Sequence, residues 1–396
     1  MDKPIETKPP LPTRVHPSDR GRIAASNAVA RLSGIVPMDG PDVSYYSPEL
    51  IQCTLPHSDP KSRDWIRRNG NFTLIVSSGI DEDGIVLGIP YGSFPRLMLA
   101  HIITRVIETR ERRIDLGTHF GTFLRDIGYT GNNRGNIPSA RTIRAQLLRL
   151  LRAHISFQYN EDNAKYKRLA VRDVKISPKF DLWWNFKKPE EGSLFGSWID
   201  LSEEFYQSIL QSPVPLRTDI LKALRKSPLA LDVYMWVSYR LFAMQAAGQP
   251  ELRVPIGALQ AQFGTGTAEE NYRQFRQQLK HAFAKVAALW KPLGDENEKS
   301  LLNYEIDEGG LILYRSPLLI AHKQPTKQED AARILETRSF DAATLKRAKQ
   351  LAGNWDLNYL IRQYFQWIDD YGIKAEDPRR LFLSFIKKHV ETNGKG

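Results

Sequence analysis

The chain has 396 residues, more than one compact core usually holds at roughly 100–200 residues per domain, so two or three domains are expected. Hydrophobic residues at 41% and charged residues at 26% exclude wholesale disorder, and a single cysteine, Cys53, excludes an intrachain disulfide and any cysteine-based zinc site. No run approaches about 18 uninterrupted apolar residues, and the first residues are proline-rich and charged where a signal peptide would be apolar. A cytoplasmic protein with no membrane partner is therefore expected.

The net charge of +11 is unevenly placed: residues 92–180 hold 17 Lys and Arg against 7 Asp and Glu, while 192–325 balance at 14 against 14. A solvated basic surface without a partner is one account. A domain that concentrates charge in this way is better suited to a polyanion, because each phosphate neutralised by Lys or Arg releases condensed counterions.

In chain order, 1–48 is rich in proline and poor in large apolar residues, which predicts a mostly disordered N-terminal arm with a short helix over 19–33. From 71 two β-like runs, FTLIVSS and GIVLGIP, flank the turn-forming Asp81-Glu82-Asp83-Gly84 and predict a hairpin. Helices follow at 93–109, with Ser93 as N-cap, at about 118–127, closed by Gly128, and at about 140–154, with Ser139 as N-cap. ISFQYN and YKRLAVRDVKI then read as a second hairpin. Helix, short helix, longer helix and hairpin in that order describe a winged helix-turn-helix.

The order recurs after a strand at 197–201 and a helix at 202–211. Helices are predicted over 227–246, 255–263 and 267–290, followed by a hairpin with Asp307-Glu308-Gly309-Gly310 at its turn. The expected fold is mixed α/β and helix-rich, with tandem winged helix-turn-helix domains at 49–188 and 189–324, joined near 185–196, and a C-terminal all-helical domain at 325–396.

Helix 140–154 sets Ile143, Leu147, Leu150 and Leu151 on one side, and Arg141, Thr142, Gln146, Arg149 and Arg152 on the other, with Arg144 at the border. No acid lies between 138 and 160, and Arg and Gln pair bidentately with guanine and adenine, so this is the expected recognition helix. In the hairpin after it, Lys165, Lys167, Arg168, Arg172 and Lys175 suit the phosphate backbone, or alternatively a solubilising sheet edge. In the second module, Arg273, Gln274, Gln277, Lys280, His281 and Lys285 lie opposite Phe275, Leu279, Phe283 and Val286 and form a second expected DNA-contacting face.

Chemistry of other kinds finds no support. The eight histidines contain no His-x-His metal pair, none is followed three residues later by Arg, and Gly264-Thr265-Gly266-Thr267 lacks the lysine of a P-loop. The expectation is a binding protein, not an enzyme, with no catalytic residue, metal or cofactor.

Three stretches carry a resemblance. Leu55-Pro56-His57-Ser58-Asp59-Pro60, Arg68-Asn69-Gly70-Asn71-Phe72-Thr73-Leu74, and above all Gly88-Ile89-Pro90-Tyr91-Gly92-Ser93-Phe94-Pro95-Arg96-Leu97 resemble the plasmid-encoded RepA family of replication initiators, as do Leu116-Gly117, Phe123-Leu124 and Gly128. The C-terminal run with Trp355, Tyr364, Trp367, Pro378 and Phe382 to His389 resembles helical tails of the same family. The resemblance implies tandem winged helices that bind direct repeats (iterons) in double-stranded origin DNA, help open it, and recruit a host replicative helicase or initiator in a bacterium. Single-stranded DNA and a second copy of the chain are further implied partners. Chemically, Tyr91 to Leu97 reads as a strand-to-helix corner and core element, with no DNA role. The competing readings are a winged-helix transcriptional repressor and a primosome-type accessory protein that binds single strands.

Overall fold

The computed structural model describes residues 42–129, 140–162, 167–185, 188, 191–211, 213–264, 272–292, 299–320, 334–335, 340–353, 355, 357–373 and 375–393. The predicted helix at 19–33 and Ser139 lie outside them.

Strand β1 (Val43–Tyr46) and helix α1 (Pro48–Gln52) open the described chain, with Ser47 Oγ accepting from the Leu50 amide as N-cap. Placing 43–48 in a disordered arm is thus corrected: β1 pairs with a strand from the second half of the chain, and Tyr46 is buried. The predicted 71–90 hairpin is also corrected. The partner of β3 (Phe72–Ser77) lies upstream in β2 (Asp64–Asn69), whose arginines masked its strand character. Beyond β3 only Ile80 and Val86 bridge, because the Asp81 carboxylate closes a tight turn on the amides of Asp83 and Ile85.

Helix α2 (Ser93–Thr109) is buried along most of its length, from Phe94 through Leu97 and Ile103 to Val106; Gly92 at φ 79° takes the N-cap expected for Ser93. Then come β4 (Arg113–Gly117), α3 (Phe120–Asp126), α4 (Ala140–Arg152), β5 (His154–Asp162), β6 (Lys167–Lys175), β7 (Lys179–Asp181) and β8 (Ser197–Asp200). The second passage runs through α5 (Glu203–Gln211), β9 (Val214–Arg217), α6 (Thr218–Leu224), α7 (Pro228–Ala246), β10 (Glu251–Pro255), α8 (Ile256–Phe263), α9 (Tyr272–Leu289), β11 (Tyr304–Ile306) and β12 (Gly310–Tyr314). Helices α10 (Ala342–Ala352), α11 (Leu357–Tyr371) and α12 (Pro378–Asn393) end it. The fold is mixed α/β and helix-rich.

The sheets run in the orders β2-β3-β5-β6, β4-β8-β7, β1-β9 and β10-β12-β11. Two of them cross the boundary expected at 188/189: β4 pairs with β8, and β1 with β9. The segment near 185–196, read as an inter-domain joint, lies in the connection between β7 and β8, where the Trp184 indole donates to the Gly117 carbonyl and the ring lies over Phe123. One continuous buried set extends from Tyr45 to Leu313, so these two passages share a core. A separate set around Phe340, Tyr364 and Phe382, with the Phe340 and Phe382 rings stacked at 4.3 Å, holds the C-terminal helices. No helix among the described residues is long and apolar enough to cross a membrane.

Candidate nucleic-acid interface

Helix α4 buries Ile143, Leu147, Leu150 and Leu151, and with them Gln146. The Gln146 side-chain oxygen accepts the Tyr91 amide at 2.9 Å, so this side chain anchors the loop before α2 and is withdrawn from any base edge. Arg149 is also redirected. Its guanidinium donates to Asp59 at 3.1 Å and to the Ile89 carbonyl at 3.2 Å, and lies over the Tyr91 ring. Gly88 makes room for it: a Cβ there would stand 2.9 Å from the guanidinium carbon. Burial pushes the Asp59 carboxyl up, but the Lys61 amide and Arg149 outweigh it and hold it below the usual carboxylate range.

Arg152 donates to the Ile80 carbonyl at 2.8 Å while remaining exposed. The exposed face of α4 therefore narrows to its first half, where Arg141, Thr142 and Arg144 stand out. That is the half from which a recognition helix reaches base edges.

In the β5–β6 hairpin, Lys167 and Arg168 start β6, and the register sets Asp162 and Glu161 opposite them. Lys165 lies outside the described residues. Lys175 is exposed, but Arg172 points to the other face, where it pairs with Glu49 at 3.0 Å and lies over Phe157. Arg172 therefore does not belong to a free basic face; the two-residue strand period assigns it to the packed side.

Helix α9 buries Phe275, Leu279, Phe283 and Val286, and exposes Arg273, Gln274, Gln277, Lys280, His281 and Lys285. It stands against α7 and α8, and Arg276 lies 3.8 Å from Glu308 in the β11–β12 turn, tying helix to hairpin. Strand β12 sits between β10 and β11. Gly310 allows that approach, since a Cβ there would stand 2.1 Å from the Val254 carbonyl oxygen.

What joins the two modules was not among the expected site residues. Arg96, buried in α2, donates through Nε and Nη2 to both oxygens of Asp232 in α7, through Nη2 also to the Leu55 carbonyl, and through Nη1 to the carbonyls of Pro56 and Gly92. His57 Nε2 meets the same carboxylate at 2.8 Å. Burial pushes the Asp232 carboxyl up, but Arg96 and His57 outweigh it and keep it below its ordinary range. Burial also lowers the His57 imidazole, against the opposing pull of Asp232. Two of the signature stretches, Leu55 to Pro60 and Gly88 to Leu97, supply parts of this lock, and Arg67 adds a contact to the Ala261 carbonyl in α8 at 3.3 Å. A detectable signal existed: Arg96 and Asp232 are charges set within apolar helical runs, where unpaired charges are almost never buried.

Residues 89–254 match the family model described as plasmid encoded RepA protein. Among solved structures, the chain is similar to a crystal structure of domains 2 and 3 of RctB as selenomethionine derivatives, at 8% identity and a TM-score of 0.41, over 68% of this chain and 97% of that one. A second structure of RctB domains 2–3 gives 11% identity and a TM-score of 0.38, over 67% and 94% of the two chains. No curated protein matches the chain. The matched residues contain the Arg96 turn and both partners of its ion pair, so in this part the chain is similar to the plasmid encoded RepA proteins.

Proposed function

We propose that this chain is a replication initiator of the plasmid-encoded RepA family, a non-enzymatic protein of the bacterial cytoplasm that grips duplex DNA at a plasmid origin through two winged helices, each inserting one helix into the major groove. The carrying observation is the recurrence of one element order, α2-β4-α3-α4-β5-β6 and α7-β10-α8-α9-β11-β12, with an exposed basic face on α4 and on α9. The β10-β12-β11 order, in which the strand after the first helix pairs with the hairpin, supports the winged-helix reading of the second module. Arg141, Thr142 and Arg144 are the candidate base readers of the first module and Gln274 and Gln277 those of the second, with Arg273, Lys280 and Lys285 toward the phosphates. On the face of β6 opposite Arg172, Lys175 would steady the phosphate backbone. The C-terminal helices, with their own core, would meet host replication proteins while the basic modules stay on the repeats.

Footprinting of the full chain on its plasmid's origin and on the DNA upstream of its own gene tests this. Protection of direct repeats at the origin is expected. Protection of the promoter alone would favour the transcriptional repressor, and binding confined to single strands would favour a primosome-type accessory.

A further inference from the structure

A groove of about 710 Å³ runs between α10 and α12 of the C-terminal unit. Its sides are two helical stripes, Arg347 and Leu351 from α10 and Arg380, Leu383 and Lys387 from α12, at the four- and three-residue steps that align side chains on one face. Leu351 is 37% exposed although its helix is otherwise anchored by buried Ala348 and Ala352. Arg347 and Arg380 are exposed and have no carboxylate within ion-pair distance among the described residues, whereas neighbouring Arg379 is taken up by Asp341. The acids at one end are Glu376 and Asp377, and Asp377 caps α12 by accepting the Arg380 amide at 3.1 Å.

We propose that this groove docks an acidic amphipathic helix of a partner protein. Leucines at spacings of three and four would lie on Leu351 and Leu383, and flanking carboxylates would meet Arg347 and Arg380. Charge complementarity selects an acidic occupant. The lining selects protein over nucleic acid: it contains aliphatic side chains and no aromatic ring on which an unpaired base could stack. The inference goes beyond duplex binding and does not depend on it.

The test uses the full chain and three fluorescent probes. These are a helical peptide about sixteen residues long with leucines at those spacings and glutamates beside them, the same peptide with lysines for the glutamates, and an oligo-dT strand. The glutamate peptide is expected to bind the wild-type chain, and Arg347→Glu/Arg380→Glu to weaken it by about tenfold or more while gaining affinity for the lysine peptide. That reversal separates a changed groove from a misfolded unit, which would bind neither. Absence of glutamate-peptide binding by the wild type, or equal binding by wild type and variant, would overturn the proposal. So would oligo-dT binding that alone is lost in the variant, which would reassign the groove to single-stranded DNA. Duplex footprints of the variant should match the wild type, so a failed origin footprint and a failed peptide assay remain separate results.

Discussion

Arg96 and Asp232 lie 136 positions apart and meet in a two-point ion pair, Nε to Oδ1 and Nη2 to Oδ2, both at 2.7 Å, with both side chains buried. The pair locks the first helix of one module to the first helix of the other. Removing one partner leaves an uncompensated buried charge, so Asp232→Ala should cost about 3–5 kcal/mol, read from urea unfolding. The double change Arg96→Met/Asp232→Leu should recover much of that loss. A cost under about 1 kcal/mol for the single change would show that water reaches the pair.

Acid should loosen the protein through two half-buried histidines, His57 and His101. Burial holds His101 down to about 4, whereas the unfolded chain takes up the same proton near 6.5, and burial moves His57 in the same direction. Because the unfolded state binds more protons in that window, this contribution is whole above about pH 6.5 and is lost as pH falls toward 4. Thermal melts of His101→Gln should show a smaller drop between pH 7 and pH 5 than the wild type, by up to about 2 kcal/mol in stability. Parallel curves for the two proteins would place the acid sensitivity elsewhere.

Helix α4 should divide by position. Arg141→Ala is expected to cost about 1–3 kcal/mol on the protected repeat and much less on random duplex. Gln146→Ala and Arg149→Ala should instead lower the melting temperature and leave the ratio of specific to non-specific binding unchanged, since their partners are Tyr91 and Asp59. If Arg149→Ala abolished sequence preference in a folded protein, Arg149 would have to leave Asp59 on binding DNA.

Exposed charges on α9 should act through salt. Replacing Arg273, Lys280 and Lys285 by alanine is expected to weaken duplex binding and to flatten the log–log salt dependence by roughly 0.9 per phosphate contact removed. An unchanged slope in gel shifts across salt concentrations would take this face off the DNA.

Much of this architecture was legible. Apolar periodicity marked α2, α4, α7 and α9, and Asp307 to Gly310 marked the last hairpin, because local spacing determines amphipathic helices and tight turns. Contacts between distant residues were not legible. The helical wheel put Gln146 and Arg149 on an open face because it cannot see that the loop from Asp59 and the turn from Gly88 to Tyr91 fold over the second half of α4. Strand β2 was missed for a related reason: in DWIRRN the inward position is held by Arg67, whose buried guanidinium gives no hydrophobic alternation to read.

The shared core has a consequence for the DNA. With β4 paired to β8, β1 to β9 and Arg96 fixed on Asp232, the separation and rotation between α4 and α9 are set by the interior of the protein. On the proposed binding mode, inserting about half a helical turn between the two halves of a repeat would turn the second half to the far side of the duplex, and only a change in DNA twist could bring it back. A plasmid lineage could then shift the phase of its origin only by repacking this protein's core, so the two would drift together.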